Sequence, residues 1–579
     1  MRTRLRGRAL YLALAAAAGL AFHLWAGFSF IRGSAPTYDE PVHLASGYSY
    51  LKTGRYALNI MDHPPFSEML SALPLLLKAP ETFAVHPYFE RRMPYHYSDY
   101  FLYNNTVPPE ELLDTSRAFG FLAWTAGFSA VIFLFCLKLH SSAAGFAALA
   151  LYYFLPVFIS NNALVTTDAA AALFYAASLL GGFLFALKAY GPERPLPWRE
   201  LLLASACAGL AMASKFSMFV VPPLVAGLWV LHMLFFSPRR EGGRVFLHAL
   251  LYCALSLAVL ALVYRGDLAL YFEGLNATVR RLGEGRPSFA MGYYSSTGVW
   301  WYFPAAFLLK NPAAFVMFLA AGLAAVFRRR GPALLWLVLP FLFYFGSALT
   351  SKVQIGVRHL LPVMPLAAAL AGLGLVSLLA RRKGVIIAVP AAALSLFFVV
   401  SAHPYYLAYF SEAAGGKPNG WKYLTDSNLD WGQDLETLGR KLEEEGSPPV
   451  VLSYFGVARP EYYGIKHLPL GVITNVPGIA ETSHAGDLCA SGRRLLAVSA
   501  TNLQATYYPD RYRFGWLWGR APDFSAGDSI FLYDLAGDPA ALEKAADLLR
   551  RSGYPREAAC WKTGDSIFNS TPIKRREPS

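Results

Sequence analysis

Two acid-containing motifs stand close together near the start of the chain. They are Thr37-Tyr38-Asp39-Glu40-Pro41-Val42-His43 and Met61-Asp62-His63-Pro64-Pro65-Phe66. Adjacent carboxylates directly after a long apolar run are costly unless they face water or a polar site, so ionisable groups there read as functional. The structural alternative for Asp39-Glu40-Pro41 is a helix start, which Asp followed by Pro in the first turn suits. Pro64-Pro65 stops a helix and pre-sets the direction of the side chains before it, Asp62 and His63. A third acid, Asp168, closes the turn Asn161-Asn162-Ala163-Leu164-Val165-Thr166-Thr167 and opens the next apolar run, where it also suits an N-cap.

The cations that would answer these acids lie far along the chain, in Lys310-Asn311-Pro312 and Arg358-His359. A Lys or Arg costs about 2.5–3.5 kcal/mol at the bilayer centre on the insertion scale, and less near an interface. Snorkelling at a helix end explains Lys310 as well as function does. It explains Arg358 less well. Carboxylates facing cations at one membrane interface suit a particular reaction: a base takes the proton of an acceptor hydroxyl while cations stabilise a departing phosphate. Phosphate leaves as a stable anion and needs no general acid, only positive charge and the paired hydrogen bonds that Arg supplies.

The elements that must position these residues are apolar spans. The chain has 579 residues, of which 55% are hydrophobic and only 15% charged, and its mean hydropathy is positive. That composition excludes an ordinary soluble protein and implies a polytopic membrane protein with a polar appendage. The net charge of +13 does not imply nucleic acid, because most basic clusters lie between apolar runs rather than on one soluble face. Apolar runs fall near residues 9–31, 118–137, 143–159, 169–187, 201–213, 216–236, 246–263, 304–327, 333–349, 359–380 and 385–402, about eleven spans by length. The first run is too long for a signal-peptide core and is read as a retained helix.

Orientation follows from the cations. With the N-terminus inside, Lys138, the 188–199 cluster, Arg239/Arg240/Arg244, Arg328–Arg330 and Arg381/Arg382/Lys383 all fall on the inner side. Merging the runs on either side of Lys215 would reverse every later cluster, so that stretch is read as two spans. The outer side then holds the 32–117 loop, the 161–168 turn, Lys215, the 265–303 loop, the 350–358 turn and everything after about residue 403. The expected architecture is an α-helical polytopic membrane domain over 1–403 and an extracytoplasmic α/β domain over 404–579. In the latter, 434–446 and 540–553 read as helices, and 450–457, 494–500 and 529–534 as strands.

Order, spacing and common side give these motifs a family likeness. Asp39-Glu40 after the first span, Asp62-His63-Pro64-Pro65, Thr167-Asp168, Lys310-Asn311-Pro312 and Arg358-His359-Leu360-Leu361-Pro362 together resemble the GT-C glycosyltransferases. The nearest likeness is to dolichyl-phosphate-mannose protein mannosyltransferases (glycosyltransferase family 39) and their bacterial aminoarabinose-transferase relatives, over roughly residues 1–404. The resemblance implies an inverting enzyme that takes a sugar from a polyprenyl-phosphate donor. It implies Asp39 as base, Asp62 lining the pocket, and Lys310 and Arg358 on the lipid phosphate with His359 nearby. His63, Asp168 and Glu40, the last as a pocket or structural acid, complete the expected substrate site. The family's double acid is Thr-Thr-Asp here, so no metal role is carried over to Asp168, and a divalent cation is left open.

The tail is not tied to the mannosyltransferases, so the acceptor (protein, lipid or glycan) is not carried over. Asp426, Asn428 and Asp430 alternate as in an EF-hand loop, but Gly432 comes one position late and no Glu stands at the twelfth place. Cys489 and Cys560 could pair in an oxidising compartment, whereas Cys136, Cys207 and Cys253 lie in apolar runs. The expected location is the bacterial inner membrane, with N-terminus cytoplasmic and tail periplasmic. Two rivals remain, a polyprenyl-linked sugar transporter or flippase and a non-catalytic membrane assembly protein. The gathering of polar groups at one face and the lack of a repeat argue against a transporter.

Overall fold

A computed structural model describes residues 2–191, 196–238, 240–471 and 485–563. Arg194 and Arg239 of the expected inner clusters lie outside these residues. The chain is an integral membrane protein. Among the described residues, seven helices are long and apolar enough to cross a bilayer: Ala9–Arg32, Pro109–Leu139, Asp168–Ala189, Phe216–Phe236, Gly242–Val263, Val357–Leu379 and Arg382–Ser401. Two bent pairs raise the number to nine if each is one span. Ser142–Tyr153 and Pro156–Asn162 meet at 68°, and Tyr302–Lys310 and Ala313–Arg329 at 115°. Both breaks fall where a proline removes an amide donor and pushes the preceding residue out of the helical region, after Leu155 and after Asn311. The other two expected runs are helices, Trp198–Met212 and Leu334–Ala348, but too short to qualify by length.

Two compact units divide the chain. The first comprises Met1–Arg32 and Asp39–Asn428; the second comprises Gly33–Tyr38 and Leu429–Ser579. The division after Asn428 lies beyond the end of the last apolar run, where the tail was expected to begin.

In the first unit, the 32–117 loop folds into short helices. They are Glu40–Thr53, Pro65–Ala72, Leu75–Lys78, Pro87–Glu90 and Pro94–Tyr103. Four of the five carry Pro in the first turn, where its missing amide is no loss. They bury Leu44, Tyr48, Tyr50, Phe89, Tyr97 and Phe101 in one cluster. Glu40–Thr53 packs closely on Pro65–Ala72 because Gly47 has no Cβ; one added there would lie 2.0 Å from the Glu68 carbonyl oxygen. The 265–303 loop forms the helix Leu268–Glu284 and a hairpin of β1 (Ser288–Ala290) and β2 (Tyr293–Ser295). The residues from 406 to 428 add four short 3-10 turns.

The second unit is α/β. Its sheet has the order β4-β3-β5-β7-β6, with β3 (Val450–Ser453), β4 (His467–Pro469), β5 (Leu495–Ser499), β6 (Phe524–Ala526) and β7 (Ile530–Asp534). β3 runs parallel to β4 and β5, while β7 is antiparallel to β5 and β6. Three of these strands and the helices Leu435–Glu444 and Pro539–Arg551 match the sequence expectation. The two three-residue strands are too short to be read from periodicity. Cys489 and Cys560 form a disulfide.

Candidate active site

Asp39 stands at the N-cap of Glu40–Thr53, with φ −93° and ψ −20°, but its carboxylate does not cap the helix. It meets a cation instead. Arg358 Nη2 donates to Asp39 Oδ2 at 3.3 Å, and Arg358 Nη1 donates to Asp168 Oδ2 at 3.3 Å. Asp168 Oδ1 accepts from Lys215 Nζ. The result is an alternating row of acid and base, Asp39, Arg358, Asp168, Lys215, drawn from four stretches of sequence. Arg358 rides on the 3-10 helix Val357–Val363. Its Nε donates to Ser427 Oγ at 3.0 Å, and that hydroxyl is held by its own bond to the Ile355 carbonyl at 2.6 Å. Asn428 Oδ1 accepts from the Val357 amide at 2.9 Å, so the 426–428 turn fixes both ends of the arginine's seat.

The acids of the row are unequal. The side chain of Asp168 is 1% exposed and that of Asp39 is 25% exposed. Asp39 is therefore the more open of the two carboxylates. Asp168, fully buried with a cation on each oxygen, sets those cations side by side.

Glu40 does not join them. Both its oxygens are engaged by Arg117, Nε to Oε1 at 2.9 Å and Nη2 to Oε2 at 2.6 Å, and Oε1 also accepts from the Val165 amide at 2.9 Å. Glu40 and Arg117 are both buried. The expectation of Glu40 as a substrate ligand is corrected, and the structural alternative fits: its contacts tie the helix Glu40–Thr53 to the helix Pro109–Leu139 and the 161–168 turn. Lys310 is corrected as well. Its ammonium donates to the carbonyls of Leu407, Tyr409 and Asn428, using all three donors, and lies 4.3 Å from the centroid of the Phe410 ring. It anchors the 406–428 segment rather than facing a phosphate.

Asp62 pairs with Arg281, whose Nη2 also donates to the Met61 carbonyl at 2.7 Å. Asp62, His63, Lys215, Lys352 and His359 all line one cavity of about 560 Å³. Its remaining wall is largely apolar, including Phe216, Phe219, Leu275, Phe303 and Phe343. The structure thus brings Asp39, Asp168 and Arg358 into one row and Asp62, His63 and His359 around one cavity. Lys215 belongs to both sets.

Behind the cavity wall, His63 meets His43 edge to face at 4.8 Å. His43 Nδ1 lies 2.8 Å from Glu68 Oε1, which also accepts from Asn59 Nδ2 at 2.7 Å. Burial lifts the Glu68 carboxyl above its usual range, with His43 and Asn59 pulling the other way. Burial also acts to lower His43, but the bond and charge of Glu68 and the charge of Asp39 outweigh it, so its pKa is raised. The pair therefore keeps a proton. His63 is held well below its ordinary value, first by burial and then by His43, Lys215 and Arg358. It faces the cavity uncharged.

No group of three or more His, Cys, Asp or Glu side chains among the described residues could hold a metal ion. Asn428 belongs to the first unit and bonds Val357, while Asp430 in the second accepts from the Thr501 amide at 2.8 Å. The alternation of acids in that stretch serves these backbone contacts.

Residues 39–273 match the family of dolichyl-phosphate-mannose-protein mannosyltransferases. The match bears out the resemblance read from the motifs and, with it, the enzyme class, a glycosyltransferase. It begins at Asp39 and takes in Asp62, His63, Asp168 and Lys215. Solved structures similar at low identity include the following three. ArnT from Cupriavidus metallidurans bound to undecaprenyl phosphate is 14% identical, with a TM-score of 0.47, covering 90% of this chain and 97% of that one. The Archaeoglobus fulgidus oligosaccharyltransferase is 13% identical, with a TM-score of 0.45, covering 88% and 71%. The S. cerevisiae protein O-mannosyltransferase Pmt1-Pmt2 complex is 17% identical, with a TM-score of 0.31, covering 47% and 34%. No curated protein matches the chain.

Sequence reading used Lys215 only as a break between spans and passed over Ser427, Arg117 and Glu68. For Lys215 a signal existed: a lysine between two apolar runs on the side where cations are disfavoured. Glu68, inside an amphipathic helix, gave none.

Proposed function

We propose that this chain transfers a sugar from a polyprenyl-phosphate donor to an acceptor hydroxyl at the outer face of the bacterial inner membrane, with Asp39 as base. The observation that carries the reading is the guanidinium of Arg358 spanning the partly open Asp39 and the buried Asp168. Asp39 takes the hydroxyl proton, and the freed oxygen pair attacks the anomeric carbon. The bond from that carbon to the phosphate oxygen breaks, and its electrons leave with the phosphate. Arg358 and Lys215 stabilise the charge that develops there, work that electrostatic preorganisation does best in a site shielded from water. Asp168 holds the two cations in place. One displacement with one carboxylate inverts the anomeric centre.

The cavity supports a lipid-linked donor, since Lys215, Asp62, His63 and His359 line it and its aromatic and aliphatic wall suits an isoprenoid chain. Asp62, His63 and His359 would contact the sugar or phosphate. An outer location for the tail is supported by the basic clusters on the opposite loops and by the Cys489–Cys560 disulfide, which belongs in an oxidising compartment.

Purified protein in liposomes, given radiolabelled polyprenyl-phosphate-mannose and a membrane extract as acceptor source, should release polyprenyl phosphate and pass the label to the extract. Other polyprenyl-phosphate sugars tried in the same way identify the donor. Movement of intact donor between leaflets without its consumption would instead support a flippase.

A further inference from the structure

Only residues 264–267 separate the span Gly242–Val263 from the helix Leu268–Glu284 of the first unit. The span's 22 residues cover about 33 Å, a full bilayer core, so the helix starts at the membrane surface. Around its axis the helix has three sectors. Leu268, Phe272, Leu275, Val279 and Leu282 recur at alternating steps of four and three, which at about 100° per residue sets them in one stripe about 80° wide. Tyr271 and Gly274, both buried, seat the helix on the protein about a quarter-turn from that stripe. Tyr271 lies in a buried cluster with Ile60, Met212, Phe216 and Tyr264, and a Cβ at Gly274 would come within 2.4 Å of the Phe216 ring. The exposed Glu273, Arg280 and Glu284 lie on the far side of the stripe from this seat. Within the stripe, Phe272, Val279 and Leu282 are 52%, 55% and 42% exposed.

An open apolar stripe between a seat on the protein and a charged face is costly in water. At a membrane boundary it has a partner, because such a helix lies in the interface plane with its stripe among the acyl chains and its charges in water. The cavity gives the stripe a second role. Leu275, Val279 and Leu282 line it, beside Phe219 of the span Phe216–Phe236 and Phe343 of the helix Leu334–Ala348. Phe219 and Phe343 are themselves 48% and 44% exposed. Val279, Leu282, Phe219 and Phe343 thus belong both to the cavity wall and to the apolar outer surface. A rim of this kind favours lipid over water. We propose that the helix Leu268–Glu284 is seated in the membrane interface, and that its stripe, with Phe219 and Phe343, frames a lateral opening through which an isoprenoid chain passes between cavity and leaflet. The seat stands on the helix alone; the opening rests on the reading of the cavity as a site for a lipid-linked donor.

The test places a nitroxide on single introduced cysteines of the full-length protein, in a Cys136→Ala, Cys207→Ala, Cys253→Ala background that keeps the Cys489–Cys560 disulfide. The protein is reconstituted in vesicles of phosphatidylethanolamine and phosphatidylglycerol. Labels at Phe272→Cys, Val279→Cys and Leu282→Cys should collide more with dissolved oxygen than with a water-soluble nickel chelate. Labels at the adjacent Glu273→Cys and Arg280→Cys should show the inverse. Equal ratios in the two sets, or chelate-dominated ones at Phe272 and Val279, overturn the seat. Long-chain polyprenyl phosphate added to the vesicles should then broaden the spectrum of the label at Leu282, on the rim, and leave that at Phe272, outside the cavity, unchanged. Inorganic phosphate should change neither. No broadening at Leu282, equal broadening at both positions, or broadening by inorganic phosphate alone overturns the opening. A wild-type protein that passes sugar from no donor sinks the proposed transfer reaction, while the label readings still decide the seat and the opening.

Discussion

Asp39 and Glu40 are adjacent acids, yet Glu40 lies in a buried ion pair with Arg117 while Asp39 keeps 25% of its side chain exposed. The difference is one of direction, since neighbouring positions on a helix start point about a quarter-turn or more apart. Lys310 and Arg358 divide in the same way. Arg358 bridges two carboxylates, whereas Lys310 is wrapped by three carbonyls at the helix break that Pro312 makes. The two should respond differently to substitution. Arg358→Gln is expected to lower kcat by about 10²–10³-fold, the usual effect of losing a charge-stabilising donor. Lys310→Met should leave kcat of the folded enzyme near wild type but cost about 1–3 kcal/mol of stability by stranding buried carbonyls. Steady-state kinetics beside thermal unfolding of the purified protein separate the two outcomes. The basic clusters give an expectation of the side of the membrane on which each cation sits. They give none of the direction in which its side chain points, because Leu407, Tyr409 and Asn428 reach Lys310 only in the folded chain.

Among the elements, the apolar runs were legible because membrane length and the polarity of loops constrain sequence strongly. The short helices of the 32–117 loop start at prolines, which marks where they begin. Their contacts are not so marked. Arg117, which holds Glu40, lies 77 residues away at what reads as an ordinary helix entrance. The close approach of Glu40–Thr53 to Pro65–Ala72 depends on Gly47, and it carries His43 against Glu68. Gly47→Ala should force these helices apart at an overpacking cost of about 1–3 kcal/mol, seen as a lower unfolding temperature and a reduced yield of folded protein. Unchanged thermal stability would show that the contact is looser than the 2.0 Å approach to the Glu68 carbonyl implies.

For the whole molecule, the sequence suggested a membrane domain over 1–403 followed by a tail, and the second of the two compact units takes in Gly33–Tyr38 beside the residues from Leu429 onward. Nothing in the composition of residues 33–38 marks them as part of the second unit's core. Their partners, Trp431, Gln433 and Phe455, are hundreds of residues away in the chain. The inside placement of the basic clusters predicts the side of each unit's loops. Alkaline phosphatase fused after residue 563 should be active in a bacterial host, and fused after residue 330 inactive, with the reverse pattern refuting the orientation. The central claim is that Asp39 removes the acceptor's proton. The initial rate of sugar transfer from the polyprenyl-phosphate donor by Asp39→Asn tests it most directly. A loss of about 10²–10⁴-fold in kcat with donor binding retained is the result the row of Asp39, Arg358, Asp168 and Lys215 predicts; a rate within a few-fold of wild type would contradict it.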